Sequence, residues 1–178
     1  MERGRGVAAI DGALQRTAIS EGDKTLQVYL PDAESTMRAG AGLAAGLRAG
    51  MIVTLAGELG AGKTTLVRGM LRGLGWTDSV KSPSFALVEH YQISSLYFYH
   101  FDLYRFNDPI EWDVAGFAEY FRPDAICVIE WPERIADRLP RADVASVLAY
   151  APTGRTLELR AGTVAGKTCL TAFSAAPR

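Results

Sequence analysis

Residues 57–64 read GELGAGKT, a match to G-x-x-x-x-G-K-[ST], the phosphate-binding loop. The residues before them, MIVTLA at 51–56, form a nearly continuous apolar run rich in β-branched side chains, the mark of a buried parallel strand. Behind them Leu66, Val67, Met70, Leu71 and Leu74 recur at helical spacing until Gly75 closes the run. Strand, glycine loop and helix therefore follow in the order the chemistry of the loop requires. A helix start leaves N–H groups unpaired and carries partial positive charge, so it can hold a polyphosphate, and glycines let the backbone wrap around it without Cβ clashes. Lys63 is placed to reach the β and γ phosphates, and the Thr64 hydroxyl to ligate Mg²⁺.

A second stretch, AGTVAGKT at 161–168, fits the looser pattern with Ala in first place. Only ten residues follow it, too few for a core-packed helix and a further parallel strand, so it reads as a polar hairpin turn. Asp113 to Gly116 spells D-x-x-G, which GTPases use near the γ-phosphate, but no apolar strand leads into it and no N-K-x-D guanine-reading motif occurs in the sequence. The GTPase reading is set aside.

The 178 residues suit one α/β domain with a substantial core and are too few for two. Nineteen Lys and Arg nearly cancel twenty Asp and Glu, which argues against a surface built to grip nucleic acid directly. Cys127 and Cys169 have neither metal-ligand nor redox spacing, and a reducing, cytoplasmic setting fits them. No stretch reaches the length of a membrane span.

Residues 1–23 lack sustained periodicity and are read as a flexible leader, followed by a single domain over 24–174 and a short tail at 175–178. Residues 24–30 form a strand, and Asp32 caps a helix with Met37, Ala41, Ala44 and Leu47 on one face, its Ala and Gly content suggesting close packing on the sheet. The loop KSPSF at 81–85 has the place of a switch that closes over the γ-phosphate, with Ser82 and Ser84 as its hydroxyls. Strands over 85–93 and 96–104 make a hairpin about Ser94 and Ser95. In the second of them Asp102 interrupts an aromatic run, a costly position unless the carboxylate is paired, hydrated or near a metal, whereas His100 is read as structural. A helix is expected over 107–121, packing through Trp112, Phe117, Tyr120 and Phe121.

The strand AICVI at 125–129 delivers Glu130 at its C-terminal end, the arrangement that lets a carboxylate hold Mg²⁺ beside a phosphate loop. Trp131 after it reads as either a packing or a stacking residue. VASVLAY, TLELRA and TCLTAF alternate and predict a β-rich finish. The fold class is α/β: a phosphate-loop NTPase with a mixed, mostly parallel central sheet flanked by helices and a β-rich C-terminal part.

GELGAGKTTLVRGMLRGLG, VKSPSFALVEHY, YHFDLYR and ICVIEWPER, in this order and spacing, resemble the TsaE (YjeE) family of small bacterial ATPases over about residues 25–160. The resemblance implies a cytoplasmic ATPase, monomeric when isolated, that binds ATP and Mg²⁺ and supports threonylcarbamoyladenosine (t6A) modification of tRNA. It also implies TsaB-like and TsaD-like partner proteins, with tRNA reached through their complex. Carried over by position, Gly57 opens the loop, and Glu58, Leu59, Gly60, Ala61, Gly62, Lys63, Thr64 and Thr65 surround the phosphates. Thr64 and Glu130 hold Mg²⁺, Asp102 supports hydrolysis, Trp131 matters for activity or partner coupling, and Thr36 and Arg155 contact nucleotide. Where the family has S-P-T-[FY]-T, Ser84 keeps a hydroxyl and Ala86 does not. Apart from the resemblance, the residues also fit a small-molecule or nucleoside kinase, with Arg134, Arg138 and Arg141 as a loose lid cluster, or a binding module controlled by nucleotide.

Overall fold

The computed structural model describes residues 14–20, 25–83 and 85–176. Its strands are β1 (Gln15–Ser20), β2 (Thr25–Leu30), β3 (Ile52–Gly57), β4 (Val88–Ile93), β5 (Leu96–Asp102), β6 (Ala125–Glu130), β7 (Val144–Tyr150) and β8 (Arg155–Ala161). The helices are α1 (Ala33–Ala44), α2 (Lys63–Gly73), α3 (Ile110–Val114) and α4 (Val164–Ala175), with 3₁₀ turns over Phe117–Tyr120 and Pro132–Arg138. One sheet runs in the order β1-β2-β8-β7-β3-β6-β5-β4. The ladders β7-β3, β3-β6 and β6-β5 are parallel and central, while the outer pairings are antiparallel.

Burial follows this division. All six residues of β6 are buried, as a central parallel strand requires. One face of the sheet packs on α1, α2 and α4 through Leu43, Leu66, Met70, Leu170 and Phe173. The other face of the parallel half is covered by an aromatic cluster of Phe101, Phe106, Trp112 and Phe117. Strand β7 alternates buried Val144, Ser146 and Leu148 with an exposed Val147, so the antiparallel half is covered on one face only.

Asp32 caps α1 as expected, in a reciprocal pair: Asp32 Oδ1 accepts from the Ser35 N–H at 2.7 Å, and the Asp32 N–H donates to Ser35 Oγ at 3.1 Å. The buried face, however, is Ser35, Thr36, Ala39, Gly40, Leu43 and Ala44, with Met37 exposed. Small residues there serve an approach to α2 rather than to the sheet. A Cβ on Gly69 of α2 would stand 2.1 Å from the Met37 carbonyl, and one on Gly40 would stand 2.1 Å from the Leu66 carbonyl.

Three expectations are corrected. Residues 164–175, expected as a turn and a strand, form α4, whose N-cap Thr163 accepts from the Gly166 N–H at 3.1 Å. The look-alike loop is thus a helix start, and a Cβ on Gly166 would meet the Asp143 carbonyl at 1.8 Å, so this glycine seats the helix on the strand edge. Cys169, Leu170 and Phe173 form its buried face. The helix expected over 107–121 is broken: α3 ends at Val114, Gly116 two residues on takes a left-handed φ of 67°, and a 3₁₀ turn follows. Within the expected leader, Gln15–Ser20 pairs antiparallel with β2, while 1–13 and 21–24 lie outside the described residues. Among the described residues no helix is long and apolar enough to cross a membrane.

Candidate nucleotide site

The parallel strands β3, β6 and β5 are neighbours, and their C-terminal ends carry Gly57, Glu130 and Asp102. Ligands in open α/β sheets gather outside these strand ends, which is where α2 begins. Backbone conformation explains two of the loop glycines. Gly57 has φ 137° and a Cβ there would meet the Leu148 carbonyl at 2.3 Å; Gly62, the residue before α2, has φ 108°. The loop therefore curls over the first turn of α2 and borders a cavity of about 240 Å³, where the unpaired N–H groups of a helix start can receive an anion.

That cavity is lined by Leu59, Gly60, Gly62, Lys63, Thr64 and Thr65 on the loop side. Ser82, Asp102, Tyr104, Glu130 and Trp131 complete it. Lys63 is only 4% exposed; its Nζ donates to the Gly57 carbonyl at 2.7 Å and the Glu58 carbonyl at 2.9 Å, and stands 3.9 Å from the Trp131 ring centroid. Burial lowers the pKa of this ammonium from the ordinary lysine value, opposed by the charges of Glu130, Asp102 and Glu133.

Thr64 Oγ1 donates to Glu130 Oε1 at 2.9 Å, joining the first turn of α2 to the end of β6. A hydroxyl and a carboxylate are hard oxygen donors, and Mg²⁺ is usually held by one or two protein oxygens together with phosphates and water. Among the described residues no group of three His, Cys, Asp or Glu could hold an ion. The pair Thr64 and Glu130 fits an ion that arrives with a nucleotide.

Asp102 Oδ1 accepts from the Tyr104 N–H at 3.1 Å, and the carboxylate faces the cavity from β5. Trp131 has a left-handed φ of 61°, a strained conformation that turns its ring over Lys63 and within 5.0 Å of the Tyr104 ring. The two more distant residues also come to the loop. The methyl of Thr36 lies 3.5 Å, and the Arg155 side chain 3.7 Å, from the point a Gly62 Cβ would occupy. Ala61 is buried beneath the loop, and Ser84 lies outside the described residues. Arg138 donates to Asp113 Oδ2 at 2.9 Å, and the cavity lining includes none of Arg134, Arg138 and Arg141.

Three contacts of the site were not anticipated. His100 bonds Glu130, Tyr104 lines the cavity, and the Tyr150 hydroxyl holds the loop by donating to the Leu59 carbonyl at 3.0 Å. Strand alternation carried a signal for the first, since His100 and Asp102 are two residues apart and share a face. Nothing local marks Tyr150, whose partner lies 91 positions away.

Comparison with known proteins places this geometry among relatives. The sequence model of the family described as threonylcarbamoyl adenosine biosynthesis protein TsaE matches residues 30–157. The chain is 45% identical to the tRNA threonylcarbamoyladenosine biosynthesis protein TsaE of Haemophilus influenzae, over 85% of this chain and 99% of that one. It is 40% identical to its Bacillus subtilis namesake, over 61% of this chain and 67% of the relative. The crystal structure of Bacillus subtilis YdiB superposes with a TM-score of 0.74 at 30% identity, covering 88% of this chain and 98% of that one. A family match over most of the domain, spanning the loop and strand ends that build the cavity, establishes that the chain belongs to the TsaE family.

Proposed function

We propose that this chain is a Mg²⁺-dependent ATPase that supports t6A modification of tRNA in the cytoplasm, acting with TsaB-like and TsaD-like proteins and reaching tRNA through them. The observation that carries the reading is the bond from Thr64 to Glu130, which sets a hydroxyl and a carboxylate side by side at the mouth of the loop. The loop N–H groups and Lys63 bind the phosphates, Lys63 exchanging its bonds to the Gly57 and Glu58 carbonyls for phosphate oxygens. Thr64 and Glu130 hold the ion, which neutralises charge on the phosphates when bound. Asp102 or Glu130 orients the attacking water, and the Trp131 and Tyr104 rings line the site beside them.

A kinase would need an acceptor pocket and an arginine lid, and the bond from Arg138 to Asp113 gives no support to one. The test is multiple-turnover formation of t6A on tRNA by TsaB-like and TsaD-like proteins supplied with a threonylcarbamoyl donor. Adding this chain with ATP should raise the number of turnovers, and Asp102→Ala should not. Equal turnover with and without the chain would contradict the proposal.

A further inference from the structure

Glu130 Oε1 accepts two hydrogen bonds, one from Thr64 Oγ1 at 2.9 Å and one involving His100 Nε2 at 2.8 Å. An ionised carboxylate only accepts, so in the second bond Nε2 carries the proton and donates. Both side chains are withdrawn from solvent, 0% exposed for His100 and 4% for Glu130. His100 Nδ1 has no hydrogen-bond partner among the described residues, and His100 does not line the cavity.

A fully buried imidazole with one nitrogen unpaired is an expensive way to fill space. The neighbouring positions of the same face hold Phe98 and Val128, apolar residues that fill it without a polar cost. What His100 has that they lack is the bond to Glu130. The register makes that bond possible: His100 pairs across β5-β6 with Val128, and Asp102 pairs with Glu130, so His100 sits one same-face step behind Asp102 and reaches forward to the carboxylate.

We propose that His100 is a positioning residue for the metal site. It pins Glu130 Oε1 from inside the protein so that the carboxylate is already turned toward Thr64 when an ion arrives. Thr64 must share its hydroxyl oxygen with that ion, whereas the bond from His100 needs no rearrangement. The buried donor behind a ligating carboxylate is the kind of outer-shell contact that tunes metal affinity. This inference rests on the reading of Thr64 and Glu130 as the Mg²⁺ ligands.

Glutamine and asparagine at this position separate positioning from packing. The amide nitrogen of Gln reaches about as far as Nε2 and can still donate to Glu130, whereas that of Asn stops short. Binding of a fluorescent ADP analogue to the full chain is measured in EDTA and across a Mg²⁺ titration, with melting temperature as a check on folding. Wild type and His100→Gln should show Mg²⁺ midpoints within about threefold, and His100→Asn a midpoint raised about 10- to 100-fold, with affinity in EDTA unchanged in all three. Equal midpoints for wild type and His100→Asn would overturn the proposal. So would a shift of tenfold or more in His100→Gln with its affinity in EDTA intact, a result that stands even if His100→Asn does not fold. A wild type whose nucleotide binding ignores Mg²⁺ would overturn the ligand assignment and this inference with it, whereas failure of the inference alone leaves the wild-type titration intact.

Discussion

At the scale of single residues, the proposed function predicts that Lys63 serves binding and Asp102 turnover. Lys63 is a buried cation held by two backbone carbonyls and an aromatic face, so it stands ready to exchange those partners for phosphate oxygens. Charge-assisted bonds of this kind contribute about 1.5–3 kcal/mol, so Lys63→Ala should weaken ATP binding by roughly 10- to 100-fold in a calorimetric titration. Asp102 lies across the cavity at the end of β5. Asp102→Ala should keep nucleotide affinity within about threefold while lowering turnover about 100-fold or more, the usual size of a lost acid–base or water-orienting group. Unchanged turnover would remove Asp102 from the mechanism. The cysteines make a contrasting case. Burial pushes the Cys127 thiol up to about 12 and the Cys169 thiol up to about 11. Both therefore stay protonated near pH 8, and a thiol reagent should label neither until the chain is unfolded.

At the scale of elements, α4 tests how the antiparallel half of the sheet is held. Leu170 is fully buried in the core shared with α1 and β8, so Leu170→Ala should cost about 2–5 kcal/mol in a urea titration. Had residues 164–175 formed an edge strand, half-exposed and alternating, the cost would be much smaller. The difficulty of reading this element is physical. Gly166, Cys169, Leu170 and Phe173 have helical spacing, yet TCLTAF also alternates. What decides between them is the groove beside Asp143 into which Gly166 fits, and that groove exists only once β7 and β8 are paired. By contrast the strand-loop-helix of residues 51–74 is legible because each signal is local: β-branched run, glycines, then a 3.6-residue period. Glu130 is legible for the same reason, as the acidic end of an apolar strand. For His100 alternation shows only the face it shares with Asp102, and its bond to Glu130 is not legible, because that partner is set by the register between β5 and β6.

At the scale of the whole molecule, the sheet order turns separate motifs into one site. Strands β3, β6 and β5 are distant in sequence but adjacent and parallel, so the loop, Glu130 and Asp102 arrive at the same edge. The antiparallel strands β7 and β8 then bring Tyr150 and Arg155 to the other side of the loop. None of this adjacency is written in any one segment, although the loop, Asp102 and Glu130 were each legible in their own. The central claim is that this edge hydrolyses ATP in response to partner proteins. Steady-state ADP formation by the chain alone, and with TsaB-like and TsaD-like proteins, with and without tRNA, tests it most directly. The account predicts slow hydrolysis alone and stimulation of tenfold or more in the complex, with the stimulated rate lost in Asp102→Ala, an expectation scaled to the loss of a water-orienting group. A rate that the partners leave unchanged would contradict it.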